Sequence, residues 1–171
     1  MDKIINNPHY TRAQTLHEFT VKDIKGNLVK LDKFKGHVCI YVDTATNSPF
    51  TDMHYAQFNN LMDKFADTNG LRILAFPCNQ FGMEPGTPES IAAHAEKHNV
   101  KFDIFAKIDV NGETACDVWK FMKAKVPGGA HGNMIKTNYT KFIVTKQGMP
   151  VERHGPEVQP VEFEQLLNPY W

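Results

Sequence analysis

Two short apolar runs, at positions 37–42 and 71–76, dominate the first half of the chain. Both runs are rich in β-branched and aromatic side chains and barely alternate, which is typical of strands buried on both faces. Between them, apolar residues recur at helical spacing from Tyr55 to Phe65, and Thr68-Asn69-Gly70 is a typical helix C-terminus. The order strand, helix, strand predicts a right-handed βαβ unit with parallel strands.

The pattern on either side of this unit is weaker but predicts the rest of the domain. Segments 18–21 and 28–31 alternate around the turn Lys25-Gly26-Asn27, which predicts a β-hairpin. Further elements are predicted as helices at 88–97, 114–123 and 161–167, as a strand segment at 102–108, and as a second hairpin at 141–145 and 149–153. This layout is that of a thioredoxin-like α/β fold with an added N-terminal β-hairpin.

Length and charge limit what the chain does. Its 171 residues, 42% of them hydrophobic, suffice for one domain, which we place at 16–171 after a loose lead-in at 1–15. The 19 Lys and Arg balance the 19 Asp and Glu, so we expect no nucleic-acid partner and no strong attraction to a membrane surface. No apolar run is long enough for a signal peptide or a membrane-spanning helix, and we therefore expect a cytoplasmic protein.

The three cysteines, Cys39, Cys78 and Cys116, lie far apart and form no C-x-x-C pair. This spacing argues against a disulfide framework or a zinc site, and we expect reduced thiols. Cys39 lies inside an apolar strand and is assigned to the core. Cys116 lies near a predicted helix start, where the helix N-terminus lowers a thiol pKa, so it is the thiol most worth testing for redox chemistry. A small, half-buried packing residue is nevertheless the favoured interpretation of Cys116.

The segment from Asp43 to Asp52 connects the first predicted buried strand to a helix, and it contains Ser48. Backbone N–H groups at such a helix start favour negative charge. Ser48 followed by Pro49 predicts an N-cap with proline at the first helical position, which is worth about 1 kcal/mol. A catalytic serine would need a base held against it. His54 could lie one to two turns along, but the sequence shows no orienting acid and no G-x-S-x-G turn, so a serine hydrolase is not favoured.

His94 and His98 are four residues apart on one predicted helix face, a spacing that suits a divalent metal. The sequence His-Ala-Glu-Lys-His differs from H-E-x-x-H, and no third ligand is apparent. We therefore predict no metal site.

Three segments carry a resemblance to a known family. They are Leu71-Arg72-Ile73-Leu74-Ala75-Phe76-Pro77-Cys78-Asn79-Gln80-Phe81-Gly82, Asn99-Val100-Lys101-Phe102-Asp103-Ile104-Phe105 and Asn138-Tyr139-Thr140-Lys141-Phe142. From about Leu16 onward the chain resembles the glutathione peroxidases, most closely the monomeric phospholipid-hydroperoxide type. The loop between Lys123 and Ile135 is short, which in this resemblance implies a monomer.

The resemblance also implies where the catalytic residues should be. Such enzymes use a cysteine or selenocysteine as the peroxide-reducing nucleophile, assisted by a glutamine, a tryptophan and an asparagine. In this chain the nucleophile position falls on Ser48, and the tryptophan position on Thr137. The glutamine is present as Gln80 and the asparagine as Asn138. Two of the four expected side chains are therefore replaced.

Smaller departures point in the same direction. Pro49 replaces a glycine of the family pattern, the segment 82–86 is one residue shorter than its counterpart, and the resolving cysteine of the thioredoxin-dependent branch would fall near Glu96. Serine lacks the oxidation states through which a thiolate or selenolate reduces peroxide.

Two hypotheses follow for function. The first is a degenerate peroxidase with little or no activity, kept as a structural or interaction subunit with a protein partner in a larger assembly and without a cofactor. The second is an active hydroperoxide reductase that uses glutathione or thioredoxin as reductant, through Cys78 or Cys116, or with Ser48 an engineered substitution.

Overall fold

The computed structural model describes residues 5–171, apart from the side chain of His131. Part of the predicted lead-in, residues 1–4, lies outside the described residues. Residues 5–15 contain no helix or strand, but the side-chain amide of Asn7 bonds the backbone of Thr20 twice, accepting from its N–H at 2.7 Å and donating to its carbonyl at 3.0 Å. This segment is therefore fastened to the domain rather than loose.

The predicted N-terminal hairpin is present, with β1 at Thr20–Lys22 and β2 at Leu28–Lys30 pairing antiparallel. A five-stranded sheet forms the centre, in the spatial order β5-β4-β3-β6-β7. Its strands are β3 (Cys39–Thr44), β4 (Arg72–Pro77), β5 (Asp103–Ile104), β6 (Lys141–Val144) and β7 (Pro150–His154). β3 and β4 are parallel, as the βαβ pattern predicts, whereas β6 runs antiparallel to β3 and to β7.

β5 is much shorter than the strand segment predicted at 102–108. The backbone N–H of Phe105 still bonds the carbonyl of Ala75 in β4, but the next N–H, of Ala106, bonds the carbonyl of Lys22 in the N-terminal hairpin. The next bond to β4 runs from the N–H of Ile108 to the carbonyl of Pro77, one residue later than the register of Phe105 with Ala75 predicts. An extra residue therefore interrupts the pairing with β4 and shortens β5.

The helices are α1 (Thr51–Phe65), α2 (Pro88–Lys97), α3 (Asp117–Lys125) and α4 (Phe163–Leu166). α2 has the predicted bounds. α3 begins three residues later than predicted because the backbone of Cys116 is extended, with ψ at 137°, and its N–H bonds the carbonyl of Asp109. α4 is shorter than predicted since Pro160–Glu162 forms a 3₁₀ turn before it. In the part of the chain that the structure describes, no helix is long and apolar enough to cross a membrane.

The core lies on both faces of the sheet, and every residue of β3 is buried. Alternate β3 side chains enter opposite clusters: Cys39 and Tyr41 pack toward α3 and the N-terminal hairpin, and Ile40 and Val42 pack toward α1 and α4. The parallel strands β3 and β4 end side by side, where the N–H of Cys78 bonds the carbonyl of Thr44 at 2.9 Å. The segments that follow these two strands therefore meet at one edge of the sheet.

Candidate functional site

Ser48 lies in the turn between β3 and α1, and its side chain is buried. The Ser48 carbonyl accepts from the N–H of Thr51, and its hydroxyl oxygen accepts from the N–H of Phe50, both at 3.1 Å. Residues 48–51 thus form a turn stabilised by the serine hydroxyl. The helix begins at Thr51 with Phe50 as the N-cap residue, so the prediction of Ser48 as N-cap and Pro49 as first helical residue is wrong by two positions.

The hydroxyl group of a buried tyrosine, Tyr139, contacts this turn. The hydroxyl oxygen of Tyr139 lies 2.8 Å from the carbonyl oxygen of Ala45 and 2.9 Å from Oγ1 of Thr51, and the Thr51 hydroxyl also donates to Ala45. Sequence reasoning missed Tyr139 as a site residue, although it belongs to the segment that resembles the family motif.

A buried carboxylate, that of Glu84, also bonds this turn. Oε1 of Glu84 accepts from the N–H of Thr46 at 3.0 Å and from its hydroxyl at 2.6 Å. The N–H of Asn47 donates to the carbonyl of Met83 at 3.0 Å. The shortened segment 82–86 therefore still closes over the Ser48 turn, and sequence reasoning gave no role to Glu84.

Gln80 is engaged away from Ser48. Its Oε1 accepts from the N–H groups of Val110 and Asn111 at 2.7 and 2.9 Å, and its Nε2 donates to the carbonyl of Asn111 at 3.0 Å. Within residues 5–171, no hydrogen bond joins Gln80 to Ser48. Its carboxamide ties the loop after β4 to the loop before α3.

Asn138 is fully buried at the ends of β3 and β4. Its Nδ2 lies 3.2 Å from the carbonyl of Cys78, 3.3 Å from that of Thr44 and 3.4 Å from Oδ2 of Asp43. Its Oδ1 is buried and finds no partner in the described part of the protein. Asn138 therefore joins the two strand ends on which the candidate site is built.

Thr137 occupies the position where the resemblance implies a tryptophan, and it is half-buried. It lines a groove of about 440 Å³ between the segment 126–137 and the segment 153–157. None of Ser48, Gln80 and Asn138 lines this groove. The structure thus places the four predicted residues on neighbouring segments, but no hydrogen bond between described atoms joins any two of them.

His54 does not serve Ser48 as a base. Its Nδ1 lies 2.9 Å from the carbonyl oxygen of Phe50, and its Nε2 lies 2.8 Å from Nζ of Lys141. The carbonyl can only accept, so Nδ1 carries the proton and Nε2 accepts from the lysine. Burial, and secondarily Lys141, lowers the His54 pKa to about 3. With both nitrogens occupied, His54 has no lone pair free to accept a proton from Ser48.

The thiols are protonated at neutral pH. Burial raises the pKa of Cys78 to about 11 and that of Cys39 still further. Burial also raises the pKa of Cys116, although the N–H groups of Val118 and Trp119 act in the opposite direction. The expectation that a helix start lowers the Cys116 pKa is therefore wrong, because desolvation outweighs the helix N-terminus.

His94 lies in the last turn of α2 and His98 is the C-cap residue of that helix, and both meet the first turn of α1. One ligand atom from each histidine and one from Asp52 lie within 4.8 Å of one another. The sequence shows no third group that could ligate a metal beside these histidines, because Asp52 is distant in sequence and adjacent only in space.

The profile of the glutathione peroxidase family matches residues 16–123, which is well over half of the chain. The chain belongs to the glutathione peroxidase family. It is 49% identical over 160 residues to a phospholipid hydroperoxide glutathione peroxidase from Bos taurus, covering 92% of this chain and 81% of that protein. The corresponding protein from Mus musculus is 48% identical with the same coverage.

Solved structures of the glutathione peroxidase family agree with this fold. The crystal structure of GPX1 from T. cruzi superposes with a TM-score of 0.76 at 34% identity, covering 92% of this chain and 96% of that one. The thioredoxin-like fold inferred from the sequence is confirmed.

Proposed function

We propose that this member of the glutathione peroxidase family has little or no peroxidase activity and serves as a structural or interaction subunit. The observation behind the proposal is the hydroxyl of Ser48 at the family's nucleophile turn, where it accepts from the N–H of Phe50. Peroxide reduction requires a sulfur or selenium atom that is oxidised and then restored by thiols, and a hydroxyl cannot undergo that cycle.

The surroundings of Ser48 support the same proposal. Gln80 is bonded to Val110 and Asn111, and Thr137 offers no indole N–H where the family has tryptophan. Catalysis of this type needs donors aimed at the reacting atoms.

The second candidate is a hydroperoxide reductase working through another thiol, with glutathione or thioredoxin as reductant. It is disfavoured because the attacking species is a thiolate, and burial raises the pKa of both Cys78 and Cys116. An engineered serine would explain position 48 but not Pro49, Thr137 or the short segment 82–86.

The groove beside Thr137 supports an interaction role. Apolar side chains of Val126, Pro127 and Met134 line it together with the charged side chains of Arg153 and Glu157. Met134 is 63% exposed and adds a solvent-facing apolar side chain to this lining. A protein partner is therefore proposed, with the single chain as a monomeric unit.

An activity assay tests the proposal. The purified chain is mixed with hydrogen peroxide or a phospholipid hydroperoxide, and with glutathione or reduced thioredoxin. We expect no turnover above the uncatalysed rate. Turnover that disappears in Cys78→Ala or Cys116→Ala would overturn the proposal and support the second candidate.

Substitution of the serine provides the companion experiment. Ser48→Cys places a thiol next to the N–H of Phe50. Ser90→Cys, which places a thiol at an exposed position of α2, is the matched control. We expect Ser48→Cys alone to recover little activity, because Gln80 is bonded elsewhere and Thr137 lacks an indole. Full activity in that single variant would show that the serine is the only defect.

A further inference from the structure

We propose that Asp52, His94 and His98 form a binding site for a divalent transition-metal ion of the Zn²⁺ class. The site lies between the first turn of α1 and one face of α2. The inference does not depend on whether the protein reduces peroxides.

The arrangement of the three side chains is the first argument. His94 and His98 are one helical turn apart, and their ring centroids are 4.3 Å apart. Nε2 of His98 lies 4.0 Å from Oδ1 of Asp52, which is too long for a direct hydrogen bond. Around a tetrahedral zinc with bonds near 2.0 to 2.1 Å, ligand atoms stand about 3.3 Å apart. The Asp52 side chain is 89% exposed, so its carboxylate can rotate toward the two imidazoles.

The second argument is an unpartnered nitrogen. Nδ1 of His94 is buried and has no hydrogen-bond partner in the described part of the chain. A buried polar atom without a partner costs free energy, so such an atom calls for an explanation. Either ring nitrogen of a histidine can ligate a metal, and ligation through Nδ1 would satisfy this one.

The ring orientations are fixed before any ion binds. Tyr55 of α1 packs edge-on against both imidazoles, with centroid distances of 5.5 Å to His94 and 5.9 Å to His98. Tyr55 is itself buried. Ligands whose rings are already positioned lose little conformational freedom on binding.

The chemistry of the three donors indicates which ion the site would take. Two imidazoles and one carboxylate suit Zn²⁺ or Co²⁺ rather than Mg²⁺ or Ca²⁺, which prefer oxygen ligands alone.

A cobalt titration tests the site. Co²⁺ added to the full chain should bind with one ion per chain and give a visible d–d spectrum without the near-ultraviolet charge-transfer band of a thiolate ligand. Zn²⁺ should displace it. We expect His98→Gln and Asp52→Asn to weaken binding about tenfold or more, because loss of even an outer-shell partner has an effect of that size.

Two variants serve as controls. His9→Gln removes an exposed histidine elsewhere, and Asp63→Asn removes another exposed carboxylate of α1, so both should bind Co²⁺ like the unmodified chain. Asp52→Asn alters an exposed side chain and should leave the fold intact, as circular dichroism would show. Three results would overturn the proposal: no saturable binding at about 1 mM metal, equal binding in all variants, or a thiolate band that persists in His98→Gln.

Discussion

Tyr139 combines an unusual backbone conformation with a central set of contacts. Its φ of 68° lies in the left-handed region, which is costly for a bulky residue and persists only where the surroundings enforce it. Its N–H donates to the carbonyl of Asp43 at 2.6 Å, and its hydroxyl reaches Ala45 and Thr51. One residue thus connects the end of β3, the Ser48 turn and the start of α1.

Tyr139→Phe should therefore lower the free energy of unfolding by about 1 to 3 kcal/mol, because it removes a buried hydroxyl whose partners stay buried. Urea denaturation followed by circular dichroism measures the change. Tyr10→Phe, at a half-buried tyrosine of the N-terminal segment, is the control and should change stability by less. Equal effects of the two variants would contradict the role given to the Tyr139 hydroxyl.

Among the secondary-structure elements, α2 shows that local capping residues can determine where a helix begins. Thr87 is its N-cap, with Oγ1 accepting from the N–H of Ser90 at 3.2 Å, and Pro88 occupies the first helical position. Both signals lie within a few residues of the helix start, which is why the sequence predicts the bounds of α2 correctly.

Thr87→Ala should destabilise the protein by about 1 kcal/mol, because the Ser90 N–H loses its acceptor at the helix start. The midpoint of urea unfolding reports the change. Thr11→Ala, at an exposed threonine outside any helix, should have little effect. A midpoint unchanged by Thr87→Ala would show that the cap contributes nothing to stability.

Elements determined by distant partners were predicted less well. β5 is short because an extra residue separates the bond of Phe105 to Ala75 from the bond of Ile108 to Pro77, and no local pattern reveals that irregularity. The same holds in the candidate site. The motif segments locate Gln80 and Asn138, but only the folded chain shows that Gln80 bonds Val110. The raised pKa of Cys116 depends on desolvation by the whole surroundings, which sequence position does not give.

On the scale of the whole molecule, one buried cation joins three parts of the chain. Lys141 is fully buried, and its Nζ reaches Nε2 of His54 at 2.8 Å and the carbonyls of Tyr139 and Gly155 at 2.9 and 3.0 Å. Three acceptors match the three N–H bonds of an ammonium group. Burial nevertheless lowers the Lys141 pKa to about 7, against the opposing charges of acidic groups led by Glu157.

This pKa makes stability depend on pH in a definite direction. Between about pH 7 and the ordinary lysine value of 10.5, the unfolded chain binds this proton and the folded chain does not, so the contribution of Lys141 to stability rises with pH. The free energy of unfolding, measured by urea denaturation from pH 7 to 10, should rise more steeply in the unmodified chain than in Lys141→Met. The two slopes should differ by at most about 1.4 kcal/mol per pH unit. Lys101→Met, at an exposed lysine, should keep the original slope. Identical slopes in the unmodified chain and Lys141→Met would contradict a lowered pKa.

The position of β6 next to the central strand β3 has a consequence for how the protein is made. β3 gains its second neighbour only when β6 arrives, about a hundred residues later in the chain, and the contacts of Thr140 with Asp43 and of Tyr139 with Ala45 span 97 and 94 positions. Such distant pairings form late and slowly. During synthesis, the largely apolar edge of β3 therefore stays unpaired until the last fifth of the chain emerges. In this interval the nascent protein most needs protection from aggregation.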